Sequence, residues 1–371
     1  MPPIVLSANT SWYLYNFRRA TISTLIKRGF VVVCVSPEDE YSKKLVSELS
    51  CQWLQLKMDN QGINPLQDFS VFWQLLNIYR RIKPLVVLHF TIKNNVYGTW
   101  AARLAGTPAI NNVSGLGTAF IHKGFVPKMV RLLYKLSFPL AFRVFCQNEE
   151  DARLLIKEKL VPAEKLTRLP GSGVDIQRFS PVKNKQRGKP FTFIFAGRML
   201  ADKGLFELID AMHGLHSGAS NCQLILCGFL DVKNATAISK EQMAQWEQAP
   251  YIHYIGSSDN MEQELAKADC VVLPSYREGM PRSLLEAGAM GLPSIATDVP
   301  GCRNIVEHKV NGLLCELKSA ESLQAQMKAL MAMSDTELSE MGATARAKVV
   351  HDFSEKTVVK LTLDAIEAAI N

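Results

Sequence analysis

Short apolar runs alternate with helical patterns along the whole chain. The β-branched runs are predicted to be buried strands: IVLSA, FVVVCVSP, PLVVLHF, PAINNV and RVFCQN, then FTFIFAG, QLILCG, IHYIG, CVVLPS and PSIAT. Between them, segments such as Asp68–Lys83, Leu205–His216 and Met261–Ala268 carry apolar residues at helical spacing. This alternation is typical of parallel sheets built from α/β units. Because there are two series of strands, we predict an α/β protein of two doubly wound domains.

The boundary between the two series is predicted in Leu169–Pro190, which is rich in Gly, Pro and basic residues and has no apolar period. We therefore expect one domain over residues 1–170 and a second over 171–354. A last helix, at about 355–371, lies beyond the second series and can pack back on the first domain. Open α/β sheets bind ligands beyond the carboxyl ends of their strands, so the loops that follow the strands are the candidate site.

Length and cysteine usage restrict the class of protein. The chain has 371 residues and 47% apolar residues, enough for two large cores. No apolar run reaches the roughly 18 residues of a membrane span, and the start lacks the basic segment of a signal peptide, so a cytoplasmic chain is expected. The eight cysteines include no C-x-x-C pair, which argues against disulfides and zinc.

Positive charge is concentrated in the first half of the chain. Residues 1–175 contain 22 Lys and Arg against 12 Asp and Glu, whereas residues 176–371 contain 20 against 23. Between Asp68 and Glu149 there are ten basic residues and no acidic one. An all-basic stretch of this length indicates an anionic partner. Phosphorylated small molecules, nucleic acid and a lipid surface all satisfy this observation.

The loop after the first strand is polar and lacks glycine. Ser7, Asn9, Thr10 and Ser11 supply hydroxyl and amide groups ahead of a helix predicted to start near Asn16. A dinucleotide site would need G-x-G-x-x-G at this point. The polar group therefore serves either as helix N-caps or as contacts to a bound ligand.

The second domain opens with a strand that runs into a basic loop. FTFIFAG ends at Gly197, and Arg198 and Lys203 follow before the next helix. A guanidinium and an ammonium group at this place can hold a diphosphate together. The alternative is two solvated basic residues on a turn.

The segment SYREGMPRSLLEAGAMG places two glutamates, Glu278 and Glu286, around a predicted helix start. Pro281 suits the first helical position, and the free amides of residues 282–284 form an anion site to which Ser283 adds a hydroxyl. Glu286 can accept both hydrogen bonds of a ribose diol, and Glu278 can accept hydroxyls of the group that the phosphate carries. The alternative is a helix-dipole glutamate and a loop glutamate. Taken with the basic loop, the segment predicts a nucleotide-sugar site.

Several motifs resemble one enzyme family. EGMPRSLLE is similar to the E-x7-E element of retaining family 4 glycosyltransferases of GT-B fold, and AGRMLADKG, GSGVDIQRF and MGLPSIATDVPGCRNIVEHKVNGLL resemble its accompanying elements. SWYLYNFR, HFTIKNNVYG and VSGLGTAFI resemble a bacterial subgroup that extends undecaprenyl-diphosphate-linked sugars, with α-1,3-N-acetylgalactosaminyltransferases as the nearest members. The resemblance implies two Rossmann-like domains facing across a cleft, the N-terminal one binding acceptor and the C-terminal one binding nucleotide sugar.

The resemblance also assigns roles in the second domain. It implies that Arg198 and Lys203 neutralise the leaving diphosphate, that Glu286 holds the ribose, and that Glu278 holds sugar hydroxyls near the reacting carbon. Glu278, Arg198 and Lys203 are therefore the expected catalytic residues. Further donor contacts are expected from Gly197, Ile255, Gly279, Met280, Pro281, Arg282, Ser283 and Leu284. No cofactor or metal is implied, because the two cations take the place of a metal ion.

The first domain departs from many relatives in the loop after its fifth strand. Ser114 lies where they carry a histidine, and serine has no useful basicity at neutral pH. A protein base is therefore not expected; the leaving phosphate is the alternative, with His89 and Lys93 as candidates nearby. The segment Val126–Phe142 is predicted to be a basic amphipathic helix for an anionic membrane, unless it is an ordinary surface helix. The expected acceptor contacts are Ser11, Trp12, His89, Lys93, Ser114, Lys128, Arg131 and Lys135.

The sequence thus predicts a retaining transferase that moves a hexosamine, GalNAc in α-1,3 linkage as the first choice, from a UDP-sugar to an undecaprenyl-diphosphate-linked sugar of O-antigen or surface glycan. The enzyme is expected at the inner face of the bacterial inner membrane. Three alternatives stay open: transfer of Gal, GlcNAc or Glc, a UDP-sugar epimerase of the same fold, and a nucleotide-sugar binder without catalysis. Nucleic acid is disfavoured because the basic stretch carries no nucleic-acid motif.

Overall fold

A computed structural model describes the chain as two compact units. Unit 1 comprises residues 1–172 and 355–371, and unit 2 comprises residues 173–354. The description covers residues 2–59, 65–116, 125–182, 189–230, 232 and 234–371. Part of the predicted boundary segment, residues 183–188, and residues 117–121 of the VSGLGTAFI element lie outside this description.

Unit 1 is built on a parallel sheet with strand order β3-β2-β1-β4-β5-β6-β7. Its apolar strands are buried on both faces, as parallel sheets require, and Ile4 of β1 pairs with Val32 on one side and Val86 on the other. The described strands are β1 (Ile4–Ser7), β2 (Val32–Ser36), β3 (Gln52–Gln55), β4 (Val86–Phe90), β5 (Ala109–Asn112), β6 (Arg143–Cys146) and β7 (Leu166–Arg168).

Helices cover the sheet of unit 1, and the last helix of the chain is one of them. Val358, Leu363 and Ile366 of that helix are buried in the same apolar cluster as Leu6 and Leu88 of the sheet. The described helices are α1 (Ser11–Lys27), α2 (Glu40–Leu49), α3 (Pro65–Ile82), α4 (Ile92–Ala105), α5 (Phe125–Ser137), α6 (Glu149–Lys157) and, from the chain's end, α14 (Glu355–Ile370).

Unit 2 repeats the architecture with strand order β10-β9-β8-β11-β12-β13, all parallel. The strands are β8 (Phe191–Ala196), β9 (Cys222–Cys227), β10 (Ile252–Tyr254), β11 (Cys270–Leu273), β12 (Ser294–Thr297) and β13 (Gly312–Cys315). The helices are α7 (Leu205–Ser217), α8 (Lys240–Trp246), α9 (Met261–Lys267), α10 (Arg282–Ala289), α11 (Cys302–Ile305), α12 (Ala320–Ala332) and α13 (Asp335–Asp352).

The predicted α/β class and both series of strands are confirmed, and three strands were not predicted. These are β3, β7 and β13, which lie at or next to the sheet edges. β3 reads QWLQ and β7 reads LTR, so neither carries an apolar run. The predicted start of the first helix near Asn16 is wrong: α1 begins at Ser11, because the Thr10 side chain accepts a hydrogen bond from the Tyr13 amide and caps the helix there.

Candidate functional site

The candidate site of unit 2 lies where its strand order reverses. β8 and β11 are neighbours in the sheet, but β8 continues to β9 and β11 to β12 on opposite sides. Helices therefore diverge at this point and leave a crevice beyond the carboxyl ends of the two strands. The loop after β8 contains Arg198 and Lys203, and the loop after β11 contains Glu278. Both predicted motifs are thus brought to one edge of one sheet.

The two loops are fastened to each other by their backbones. The Tyr276 amide donates to the Asp202 carbonyl at 2.9 Å. The Tyr276 hydroxyl lies 2.6 Å from Glu207 Oε1 near the start of α7. Gly204 has φ of +73°, and a Cβ there would lie 2.8 Å from the carbonyl carbon of Pro274. These contacts fix the spacing between the basic loop and the glutamate loop.

The fastening brings Lys203 against Glu278. The Lys203 ammonium forms an ion pair with Glu278 Oε1, and the two side chains are only 20% and 12% exposed. Arg198, five positions earlier, is exposed and makes no ion pair or hydrogen bond among the described residues. One cation of the loop is thus internally neutralised and the other faces solvent.

The start of α10 differs in one detail from the prediction. Pro281 is the N-cap, with φ −69° and ψ 118°, and the first helical residue is Arg282. No side chain caps this end, and Ser283 is half-buried. A helix start without a side-chain cap can offer backbone amides to an anion, and the predicted anion site at this end stays a prediction.

Glu286 is buried, 8% exposed, one turn into α10. Arg282 Nε donates to Glu286 Oε1 at 2.7 Å, a pair that sequence spacing alone did not reveal. Burial raises the pKa of the Glu286 carboxyl, and the Arg282 guanidinium opposes the rise. A ribose hydroxyl can donate to this buried carboxylate in place of the Arg282 guanidinium.

The remaining donor positions lie along the same carboxyl edge. Gly197 directly follows β8, and Ile255 directly follows β10. Ile255 is 41% exposed, as a base-stacking residue would be. The Gly228 amide after β9 donates to the Gly256 carbonyl at 2.8 Å, which ties the β9 and β10 ends together. Gly279 and Met280 are half-buried in the loop ahead of α10.

Three predicted acceptor residues of unit 1 need correction because their side chains are engaged inside the protein. Ser11 is fully buried, with its hydroxyl 2.7 Å from Ser36 Oγ and 2.8 Å from Ser42 Oγ. The Lys93 ammonium forms a 2.7 Å ion pair with the buried Asp68. These side chains hold unit 1 together, and neither is presented to a ligand in this conformation. His89 is the third.

His89 is fully buried in β4 and has a partner on each ring nitrogen. Nδ1 donates to Asn111 Oδ1 at 2.9 Å, and Nε2 accepts from the Tyr79 hydroxyl at 2.9 Å. Burial lowers its pKa to about 4, although the Asn111 bond opposes this. A neutral imidazole with both nitrogens occupied and no exposed surface is a structural residue rather than a general base.

Ser114, Trp12 and part of α5 are accessible. Ser114 is exposed and Trp12 half-buried, and the Trp12 amide donates to Asp39 Oδ2 at 3.0 Å. On α5, Lys128 and Lys135 are exposed. Arg131, predicted to share their role, instead forms a 3.1 Å ion pair with Glu158. The basic face of α5 is therefore narrower than the sequence indicated, because Glu158, which follows the all-basic stretch in the sequence, neutralises Arg131.

Sequence reasoning missed the residues that hold the site rather than contact a ligand. Tyr276 and Glu207 are 69 positions apart, and Arg18 of unit 1 is a buried cation at the end of the SWYLYNFR motif. Within the described ranges, no three His, Cys, Asp or Glu side chains form a group that could hold a metal ion. The helices described are all too short or too polar to cross a bilayer.

Comparison with solved structures identifies the fold. HepE of Anabaena, solved with UDP and glucose, superposes with a TM-score of 0.80 at 16% identity over 99% of this chain and all of its own. Sucrose-phosphate synthase of Thermosynechococcus elongatus gives 0.81 at 17% identity over 99% of both chains. Two Rossmann-ordered units with this likeness define the GT-B fold of glycosyltransferases.

Sequence families then place the chain. The model described as "Glycosyl transferase 4-like" matches residues 3–148, and the model "Glycosyl transferases group 1" matches residues 176–348. The chain belongs to the family 4 glycosyltransferases and is a hexosyltransferase.

Two named relatives cover most of the chain. The N,N'-diacetylbacillosaminyl-diphospho-undecaprenol α-1,3-N-acetylgalactosaminyltransferase of Campylobacter jejuni is 28% identical over 86% of each chain. The UDP-Gal:α-D-GlcNAc-diphosphoundecaprenol α-1,3-galactosyltransferase of Escherichia coli is 26% identical over 84% of this chain and 82% of its own. Their names share a diphosphoundecaprenol acceptor and an α-1,3 linkage, and differ in the sugar transferred.

Proposed function

We propose that the protein transfers a hexosamine, GalNAc as the first choice, from its UDP derivative to a sugar on undecaprenyl diphosphate, with retention and in α-1,3 linkage. The observation that carries the proposal is the meeting of Lys203 and Glu278 at the strand-order reversal of unit 2, with Arg198 on the same loop as Lys203. The linkage and acceptor class follow the two relatives, whose transferred sugars differ, so the donor sugar is the least constrained part.

In the proposed donor complex, the diphosphate lies between the basic loop and the start of α10. Arg198 and Lys203 take the negative charge that grows as UDP leaves, which is where preorganised cations lower the barrier most. Backbone amides at the start of α10 and the Ser283 hydroxyl hold phosphate oxygens. Glu286 accepts the ribose hydroxyls. No cofactor or metal is part of the proposal, because the two cations supply the charge.

Donor binding on this scheme exchanges partners at Lys203. In the structure its ammonium is held by Glu278. When the diphosphate arrives, the ammonium is drawn towards the phosphate oxygens, and the Glu278 carboxylate is released to accept hydroxyls of the transferred sugar. Lys203 and Glu278 therefore neutralise each other before the donor binds. Afterwards the ammonium holds the diphosphate and the carboxylate holds the transferred sugar. Glu278 competes with the diphosphate for Lys203 until the sugar compensates it.

The acceptor proton has no protein base in this scheme. His89 has no exposed surface and a pKa lowered to about 4 by burial, and Ser114 is not basic. The departing phosphate of UDP is left as the proton acceptor. It lies on the same face of the sugar as the incoming hydroxyl, as retention without a covalent intermediate requires.

Residue Glu278 separates the proposal from its alternatives. Purified protein is incubated with UDP-GalNAc, UDP-GlcNAc, UDP-Gal and UDP-Glc, each with a synthetic polyprenyl-diphosphate-linked sugar, and product masses are read. Glu278→Gln should lower kcat about 100-fold or more, while UDP affinity is kept or increased because Lys203 loses its competitor. Glu264→Gln is the matched control, since it breaks an ordinary surface ion pair with Lys267 at 2.7 Å in the same unit.

Each alternative gives a different result in that panel. Transfer from another UDP-sugar would replace GalNAc as the donor. Conversion of UDP-GlcNAc without any acceptor would identify an epimerase. Nucleotide binding without turnover, unchanged by Glu278→Gln, would identify a binding protein and remove the proposal.

We also propose that unit 1 docks on the inner face of the inner membrane through α5. Leu132 and Leu136 are 50% and 54% exposed on the helix that presents Lys128 and Lys135. Exposed leucines next to exposed lysines suit an interface with anionic lipid. Changing Lys128, Arg131 and Lys135 to Glu should release the protein from phosphatidylglycerol vesicles in a flotation assay. Undiminished flotation would remove the membrane claim while leaving the transferase proposal intact.

A further inference from the structure

A buried cation without a carboxylate partner lies beneath the carboxyl edge of the unit 1 sheet. Arg18 of α1 is only 3% exposed. Among the described residues no carboxylate lies within 4.0 Å of it, and its Nε has no hydrogen-bond partner. A buried, unpaired charge costs several kcal/mol unless something compensates it. Most buried charges in proteins are paired, so an anion that acts on this guanidinium would be strongly favoured.

The guanidinium is held rigidly by aromatic rings. Its central carbon lies 4.3 Å from the ring centroid of Phe90, the last residue of β4, and 5.6 Å from that of Tyr13. Tyr13 in turn packs edge-on against Phe17, at 5.0 Å between centroids. Cation–π contacts compensate a small part of the desolvation. Their larger effect is to fix the charge in place before any ligand arrives.

Two hydroxyl groups connect this charge to the surface. Arg18 Nη2 donates to the Tyr13 hydroxyl at 3.0 Å, and that hydroxyl lies 2.9 Å from Ser114 Oγ. Arg18 is buried, Tyr13 half-buried and Ser114 exposed. Because the Tyr13 oxygen accepts from the guanidinium, its own proton is free to be donated outward. The row therefore presents hydroxyl donors at the surface, polarised by a positive charge behind them.

The position of the row matches a ligand site. Tyr13 follows β1, Phe90 ends β4 and Ser114 follows β5, and β1 and β4 are the strands between which the order of this sheet reverses. This is the crevice of unit 1, as the Lys203 site is of unit 2. Hydroxyl donors backed by a guanidinium match the oxygens of a phosphate ester.

We propose that Ser114 and Tyr13, with Arg18 as the buried charge, bind the diphosphate of the acceptor. The assignment rests on the proposed function for the identity of the anion, but the site itself stands on the contacts above. Tyr13 and Ser114 contact the diphosphate. Arg18 acts through Tyr13 as a positioning residue and supplies the charge.

The test measures binding of farnesyl diphosphate to the full-length chain by calorimetry, in an Arg198→Ala, Lys203→Ala background so that the unit 2 cations do not contribute. Tyr13→Phe removes one hydroxyl from a half-buried ring and should weaken binding about tenfold. Arg18→Met should weaken it at least as much.

Matched controls lie on the same helix. Tyr15→Phe and Arg19→Met change a hydroxyl and a guanidinium that engage Glu48 at the surface, and binding should stay within twofold of the background. Circular dichroism confirms that each variant is folded. If Tyr13→Phe binds as tightly as Tyr15→Phe, the site is refuted, even if Arg18→Met does not fold.

Two further measurements separate this inference from the other proposals. Flotation with phosphatidylglycerol vesicles should be unaffected by Tyr13→Phe; a loss there, with farnesyl diphosphate binding unchanged, would assign the row to lipid headgroups and overturn the acceptor assignment. Binding is read without turnover. Absent transfer with Tyr13-dependent diphosphate binding would therefore contradict the proposed function alone.

Discussion

The contact between the two loops of unit 2 can be tested at one glycine. Gly204 ends the basic loop with φ of +73°, and a Cβ at this position would overlap the Pro274 carbonyl group, 2.8 Å from its carbon and 3.0 Å from the proline Cβ. Gly256 in the same unit has nearly the same φ, +74°, but nothing lies within 4 Å of its Cβ position. Alanine at the two sites therefore shares the backbone strain and differs only in the clash.

The expected magnitudes follow from these two terms. Holding alanine in the left-handed region costs about 1 kcal/mol, and this is the whole expected loss for Gly256→Ala. Pushing a backbone carbonyl aside resembles overpacking and costs about 2 kcal/mol more. Gly204→Ala should therefore lower the free energy of unfolding by about 3 kcal/mol in total. The benefit of restricting the unfolded chain is the same for both and cancels in the comparison.

Urea unfolding of the full chain, followed by far-UV circular dichroism, measures the difference. Both changes lie in unit 2, so any separate unfolding of unit 1 affects them equally. The slope of the transition should be the same for both variants. Equal midpoints for Gly204→Ala and Gly256→Ala would refute the reasoning, because the loops would then not be in contact at Pro274.

Three further changes test the buried polar groups. The contribution of His89 to the free energy of unfolding should fall by about 3 kcal/mol as pH drops from 6.5 to 4. The reason is that His89 keeps its pKa near 4 when folded, whereas the unfolded chain takes up the proton at higher pH. In a pH series of urea titrations, His89→Gln should remove this contribution. Burial raises the pKa of Glu286, so the contribution of Glu286 to stability declines as pH rises through that pKa. Glu286→Gln should therefore become more stable relative to wild type between pH 4 and 7 in the same titrations, and a constant difference would contradict the shift. Tyr276→Phe removes the 2.6 Å bond to Glu207 and should cost about 1 kcal/mol, measured by thermal unfolding, whereas Glu207→Gln keeps an acceptor and should cost less.

The sheets and the motifs were predictable from the sequence for a physical reason. Parallel strands buried on both faces must be apolar throughout, so runs such as CVVLPS and FTFIFAG stand out from their surroundings. The reactive loops then follow from topology, because ligands gather at the carboxyl ends of such strands. The edge strand β3 does not follow this rule. β3 is exposed or half-buried at every residue, so QWLQ carries no apolar signal.

The pairings inside the site were not predictable. Lys203 and Glu278 are 75 residues apart, and their contact depends on the fit of one loop against another. His89 shows the same limit in reverse. A histidine at a strand end is equally consistent with catalysis and with a buried bond network, and only the positions of Tyr79 and Asn111 decide between them. Local sequence gives the residue types at an edge, whereas their partners depend on long-range packing.

The two units handle charge in opposite ways. In unit 2, Lys203 and Arg282 are each held by a glutamate that the proposal assigns to the nucleotide sugar. A neutralised site costs little to keep empty, and its ion pairs are released only to a ligand that offers both a diphosphate and hydroxyl groups. A bare phosphate would leave Glu278 uncompensated and is disfavoured. In unit 1, Arg18 has no such carboxylate among the described residues, so through the Tyr13 hydroxyl its charge can act on an anion that brings no hydroxyls. Selectivity for a nucleotide sugar in unit 2 and binding of an anion in unit 1 are therefore separate properties. A change at Glu278 should alter the selectivity of unit 2 without affecting anion binding by unit 1.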